Sequence, residues 1–259
     1  MCGRYTHLYT WKQLHRLMGL TTHSPAEDRQ LPLRYNVAPT QTAPVVREDA
    51  GGRRVDMLRW GLIPGWVKPE EIAAPGGAGG GGEWGARTIN ARSETAATSP
   101  VFRAAMRKRR CIVPVSGFYE WQKVPGSTRK QPWYITPREG EGGDGGGEGV
   151  LAFAGLWEEH AGIDGGEPIR TFTVLTTNSN AAIAPVHDRM PVILSPEQFG
   201  AWLDPSVEDP AKVAPLLAPC PPERIRMRRV GTLVNSPSHE DPRCIEPAEA
   251  IEQQRGLFG

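Results

Sequence analysis

Three scarcities narrow the reading before any motif does. Cysteine is rare: the chain has four, at positions 2, 111, 220 and 244, with no paired metal-type spacing and too few for a dense disulfide framework. Zinc-ribbon and disulfide-stapled folds are excluded, and a reduced, intracellular compartment is expected. Long apolar runs are also missing. The segment up to Leu20 lacks the apolar stretch of a signal peptide, and nothing later approaches the ~20 apolar residues of a membrane span. A soluble protein is expected, cytoplasmic or, in a cell with a nucleus, nuclear. Net charge is almost absent, at +1 from 30 Lys and Arg against 29 Asp and Glu. A polyanionic partner would therefore have to be held by local basic patches rather than by overall charge. There is no internal repeat.

What is present is enough apolar residue for a substantial core, 39% of 259 positions, in a chain long enough for one large domain or two small ones. Two glycine-rich runs interrupt it: six glycines in 76–82 and seven in 140–149. Neither has the lysine or the strand-to-helix setting of a phosphate loop, so both read as flexible insertions within a single domain spanning 1–259. Around them lie strand signals at Pro44–Val46, Cys111–Val115, Pro132–Thr136, Leu151–Leu156 and Thr171–Thr177. A short amphipathic helix is expected after Thr10, with Gly19 stopping it. Ser99-Pro100 and Ser195-Pro196-Glu197-Gln198 read as helix starts, the second as a capping box. Arg34–Gln41 reads as a proline-punctuated loop, and the segment from Asn235 to the end as charged and low in order.

The chemistry begins at Met1-Cys2-Gly3-Arg4. Removing Met1 would leave an amine and a thiol on one residue, a 1,2-aminothiol. Such a group can act as an N-terminal nucleophile on a carbonyl or amide. It can also condense with an aldehyde to an imine that the thiol closes into a thiazolidine, a route suited to neutral pH by an α-amine pKa of about 7.7–8.0 and a thiol pKa near 8.5. From these four residues alone, the default reading of Cys2 is an ordinary buried small hydrophobe, and the rest of the chain has to decide.

Further along, Asn90 and Arg92 stand two apart and share a face if the backbone is extended. Five cations fall within 103–110 (Arg103, Arg107, Lys108, Arg109, Arg110), either a solvated helix end or a track for phosphates. Arg224, Arg226, Arg228 and Arg229 form a second basic stripe. Glu120, between Tyr119 and Trp121, is either a proton-transfer group raised toward neutrality by its aromatic neighbours or an outward-facing strand residue. His187 is a candidate acid or base, with Asp188 not automatically its partner. Trp60 reads as core, and Trp66, beyond a Gly/Pro turn, as an exposed stacking surface.

Five separated motifs occur together: Met-Cys-Gly-Arg at the start, Arg34-Tyr35-Asn36-Val37-Ala38-Pro39, Asn90-Ala91-Arg92-Ser93-Glu94-Thr95, Gly117-Phe118-Tyr119-Glu120-Trp121 and His187-Asp188-Arg189-Met190-Pro191. In this order they closely resemble the SOS response-associated peptidase (SRAP) family, the abasic-site processing proteins. The resemblance implies an α+β fold, a mostly antiparallel, barrel-like β core with flanking helices. It implies crosslinking of a mature N-terminal cysteine to the aldehyde of an abasic site in single-stranded DNA, with the peptidase label referring to removal of Met1. It assigns Cys2 as nucleophile, Asn90 as the group orienting the amine or ring, and Glu120 and His187 as the proton-transfer pair. It places Arg4, Asn36, Pro39, Trp66, Arg92 and Arg189 against the DNA. Many members carry a second aromatic after Trp66; here Val67 stands, which weakens the stacking wedge. No cofactor and no metal are expected, the protein is expected to be a monomer, and in a bacterium it would be nucleoid-associated. The rival class is an N-terminal-nucleophile glutamine amidotransferase, which also begins Met-Cys-Gly but needs an acceptor-substrate domain for which this chain has no candidate. A plain nucleic-acid-binding module would leave Met-Cys, Glu120 and His187 unexplained.

Overall fold

The computed structural model describes residues 2–21, 31–68, 71–72, 83–138, 149–160 and 167–251. Apart from Gly149, both glycine-rich runs lie outside them.

Strand-forming segments dominate, and they pair into two sheets. The first is antiparallel, in the order β13 (Ile225–Arg229), β8 (Lys130–Pro137), β7 (Gly117–Lys123), β1 (Tyr5–His7), β2 (Arg34–Val37). The second runs β11 (Arg189–Pro191), β10 (Ile169–Asn178), β4 (Gly52–Trp60), β3 (Thr42–Asp49), β6 (Arg110–Val115), β9 (Leu151–His160), β12 (Ile193–Leu194), with β5 (Asn90–Arg92) paired on β10. Because β9 also pairs with β10, this sheet curls toward a ring. The ring is not closed: β3 meets β6 only at Val46 and Ile112, and β4 meets β10 only through Arg59 and Trp60. The pairings of β10 with β4 and β5 are parallel and the others antiparallel. The expected α+β, mostly antiparallel, barrel-like architecture with flanking helices is what is found.

Alternation along the strands decides where the core sits. One apolar cluster takes Tyr5, Val37, Phe118 and Ile135 from the first sheet and Val45, Leu58, Trp60, Val113, Phe153 and Phe172 from the second, so the sheets face each other across it. The outer face of the second sheet packs the helices. Among them α1 (Trp11–Met18) starts on a Thr10–Gln13 capping box, ends on Gly19 at φ 59°, and buries Leu14 and Met18. A helix of two turns is marginal alone, and packing supplies its stability.

Three local readings differ. Arg34–Val37 is not loop but the edge strand β2, whose outward Tyr35 and Asn36 N–H groups both donate to Glu240 Oε1. After Ser99-Pro100 the chain first makes a turn, with Phe102 N and Arg103 N donating to Ser99 O, and regular helix runs only over Arg103–Lys108. Residues 235–251 of the C-terminal segment are structured: short 3-10 turns at Thr232–Asn235 and Pro242–Ile245 bury Val234 and Cys244 against Tyr119 and Tyr134. No helix among the described residues is long and apolar enough to cross a membrane.

Candidate active site

The site is built where β1 brings the N-terminus between the sheets. Arg4 O accepts from Tyr119 N and Thr6 O from Ser116 N, so β1 is sewn to the start of β7. That approach needs glycine at 117, because a Cβ there would fall 2.5 Å from the Tyr134 ring. Tyr134 instead uses its hydroxyl to meet Thr6 Oγ1 at 2.8 Å. Cys2 is thereby fully buried in the inter-sheet core. Burial pushes its thiol far above the ordinary range, the Glu120 charge pushes the same way, and the N-terminal amine pulls against both.

Four sequence-selected residues come together. Asn90, at the start of β5, donates from Nδ2 to Cys2 O at 2.7 Å, while its buried Oδ1 has no partner among the described residues. Glu120 is 2% exposed on β7. Burial raises its carboxyl to about 7, even though the charge and a hydrogen bond of the N-terminal amine pull it down. This decides against the outward-facing reading. His187 ends a helical turn in which His187 N donates to Ile183 O. Its pKa is lowered by burial first, then by the positive N-terminal amine. His187 Nδ1 lies 2.9 Å from both Arg189 N and Asp188 Oδ1. The Arg189 N–H needs a lone pair on Nδ1, whereas the carboxylate would favour a proton there. The Asp188 side chain is 87% exposed, so water screens its pull, and the resting ring is neutral with its proton on Nε2. Asp188 is in contact after all, because a turn rather than an extended chain joins the two residues.

The residues expected at DNA divide. Trp66 is exposed, and its indole N–H reaches Pro100 O at 3.3 Å. Arg92 is exposed and pairs with no carboxylate among the described residues. Pro39 is half-buried, one residue before Thr40 at φ 71°. Arg4 is occupied internally: Nη1 donates to Asn36 Oδ1 and Val234 O, each at 2.8 Å, and Nη2 to Asn235 O. Asn36 is corrected outright. It is 0% exposed, and its Nδ2 serves the carbonyls of Val234, Ser236 and His239, so its side chain has no surface to offer a ligand. Arg189 is held in a bidentate pair with Glu94 at 2.6 and 2.8 Å and also donates to Thr176 O and Asn178 Oδ1. Val67 turns inward onto Ile63 and Ile72.

Most of the two basic stripes is spent on packing. Arg110 caps its helix through Met106 O and Arg107 O, Arg109 pairs with buried Glu158, and Lys108 meets Glu208. Arg228 and Arg229 lie over the Tyr134 and Trp133 rings.

A groove of about 820 Å³ was not anticipated: Trp121, Thr128, Arg129 and Lys130 face Thr232 and Asn235 across Arg4. Lys130 is near enough to help lower the pKa of His187. The basic pair 129–130 was a visible signal, but that the 124–130 turn comes beside Arg4 is a tertiary fact. Among the described residues no group of three or more His, Cys, Asp or Glu is placed to hold a metal ion.

Comparison with known proteins places this geometry. The family model for SOS response associated peptidase (SRAP) matches residues 1–237. The abasic site processing protein YoqW of Bacillus subtilis (strain 168) is 36% identical over 246 residues, covering 95% of this chain and 99% of its own length. The abasic site processing protein HMCES of Xenopus tropicalis is 32% identical over 241 residues, covering 86% of this chain and 68% of its own. A crystal structure of a Bacteroides thetaiotaomicron protein superposes with a TM-score of 0.79 at 28% identity, covering 96% of this chain and 100% of its own.

Proposed function

Since this chain belongs to the SOS response associated peptidase (SRAP) family, we propose that it processes abasic sites in single-stranded DNA through a covalent thiazolidine at Cys2, after losing Met1. The observation that carries the reading is the convergence of Asn90, Glu120 and His187 on the start of the chain: Asn90 donates to Cys2 O, the Glu120 charge raises the Cys2 thiol, and the chain's amino-terminal charge acts on both Glu120 and His187.

The order of bond formation follows from the electrostatics. A thiol pushed up by burial and by Glu120 is protonated at neutral pH, so the first nucleophile is the Cys2 α-amine. Its lone pair attacks the aldehyde carbon of the ring-opened sugar, and the carbonyl oxygen takes a proton to give a carbinolamine. Glu120, titrating near 7, is suited to accept the ammonium proton and to return one to the departing hydroxyl, which leaves as water. The thiol sulfur then adds to the imine carbon and its proton passes to the ring nitrogen, so that one water is released overall. Neutral His187, with Nδ1 held by the Arg189 N–H and its proton on Nε2, is suited to donate that proton to the sugar oxygen. Asn90 holds Cys2 O, and its buried Oδ1, without a partner among the described residues, suits a donor such as the freed ammonium or a sugar hydroxyl.

Removal of Met1 is hydrolysis of the amide that ends in the Cys2 nitrogen, beside the same carboxyl; this is the peptidase activity in the proposal. Trp66, Arg92 and the Trp121–Arg129–Lys130 groove offer stacking and phosphate contacts to the flanking strand. The protein acts as a monomer in the DNA-containing compartment, nucleoid or nucleus.

Intact-mass measurement tests this. Purified protein should start at Cys2, and after incubation with abasic single-stranded DNA a species should appear at the mass of protein plus DNA minus one water. Fully retained Met1, or no adduct, would end the proposal.

A further inference from the structure

The strand that carries Glu120 also holds the turn that carries His187. Gln122 lies two residues beyond Glu120 on β7, so the two side chains share a face, and Trp133 stands directly across from Glu120 on β8. The Trp133 indole N–H donates to Gln122 Oε1 at 3.0 Å, and Gln122 Nε2 donates to Pro185 O at 3.0 Å. The orientation of this amide admits no flip. An indole nitrogen is only a donor and a proline carbonyl only an acceptor, so Oε1 must face Trp133 and Nε2 must face Pro185. Pro185 is two residues before His187, in the turn where Val186 N and His187 N both donate to Ile183 O. The other end of that turn is clasped by Asn180, which accepts from Ile183 N and donates to Cys220 O. Trp133 is itself steadied by Arg229, 4.9 Å above its ring.

We propose that Gln122 is a positioning residue, clasping the 181–187 turn so that His187 stays in fixed register with Glu120 across the Cys2 amine. The inference rests on the proton-transfer roles proposed above. It goes beyond them in assigning Gln122, and Trp133 behind it, to the reaction. Displacing a catalytic group by about 1 Å can cost on the order of 10²-fold in rate, so a clasp at the strand edge can matter without touching substrate.

The experiment compares wild type, Gln122→Leu, Gln122→Glu, Trp133→Phe and His187→Ala on abasic single-stranded DNA. It measures the first-order crosslinking rate at saturating DNA, the non-covalent Kd for undamaged single strands, and the His187 pKa by NMR titration. Gln122→Leu should slow crosslinking by about 10- to 100-fold with Kd unchanged, and the His187 pKa should rise toward its ordinary value as the turn loosens into water. Gln122→Glu preserves shape and the acceptor for Trp133 but sets a carboxylate oxygen against Pro185 O, so it should match the Leu variant. Trp133→Phe removes the donor that fixes the amide and should give a smaller change of the same sign, non-additive with Gln122→Leu. A wild-type His187 pKa and rate in both Gln122 variants would overturn the proposal. If His187→Ala slows crosslinking while the Gln122 variants do not, the clasp alone is wrong. If His187→Ala has no effect, the proton-transfer reading fails and takes the catalytic purpose of the clasp with it, while the titration still shows whether Gln122 holds the turn.

Discussion

Replacing Glu120 with Gln should stabilise the protein while disabling it, and the sign can be worked from burial. The Glu120 carboxyl stands at about 7 in the folded chain against an ordinary 4.5. Between those values the unfolded chain has already lost this proton while the folded chain retains it. The folded state therefore binds more protons, and stability falls as pH rises. Above about 7 both states are ionised and the loss is complete. At about 1.4 kcal/mol for each pH unit of separation, the loss comes to roughly 3 kcal/mol, an order-of-magnitude figure. Gln carries no such titration, so the difference in unfolding free energy between Glu120→Gln and wild type should grow in favour of the variant by that amount from pH 4 to pH 8. The other titrating groups largely cancel in the difference. Urea unfolding of both proteins at unit pH steps reads it, provided the slopes m agree. The same variant should crosslink abasic DNA about 10²–10⁴-fold more slowly, the usual loss for a positioned acid or base. A stability difference that is flat with pH would show that the carboxyl is not raised, and a pH-dependent difference with undiminished crosslinking would remove Glu120 from the chemistry.

Two further outcomes are expected. Cys2→Ala keeps an α-amine but no thiol, so it should give an adduct that borohydride traps and water reverses; a heat-stable adduct without reductant, formed as fast as in wild type, would refute the thiazolidine. For Arg92, exposed and unpaired among the described residues, Arg92→Ala should flatten the dependence of log affinity for undamaged single strands on log salt by about 0.7, the value for one phosphate contact. An unchanged slope would take Arg92 out of the DNA interface.

Much of the fold was readable because its signals are local. Thr10, Gln13 and Gly19 declare the ends of α1 by hydrogen bonds that reach only three or four residues. Apolar, β-prone runs in β6, β9 and β10, buried along nearly their whole length, mark strands whatever they pair with. The edge strand β2 escaped notice because four residues before a proline look like loop until the partner is known. Its sheet partner is β1, and its free edge is satisfied by Glu240, some two hundred residues away, which accepts from the outward N–H groups.

At the site, the sequence by itself determined the reacting groups: an amine and a thiol on Cys2, and the amide, carboxyl and imidazole of Asn90, Glu120 and His187, since chemical type is a property of the residue. It could not determine their state. Whether Glu120 faces water or core depends on which strand packs behind it, and the second sheet supplies the burial that lifts its pKa. Arg92 and Arg189 look equally fit for phosphate in the sequence. Only the tertiary structure leaves one exposed and locks the other against Glu94 and Thr176, because a guanidinium's availability depends on which acceptors the fold brings within about 3 Å of it. Gln122 carries no signal at all in the sequence. Its role exists only where a neighbouring strand, an indole and a distant turn meet.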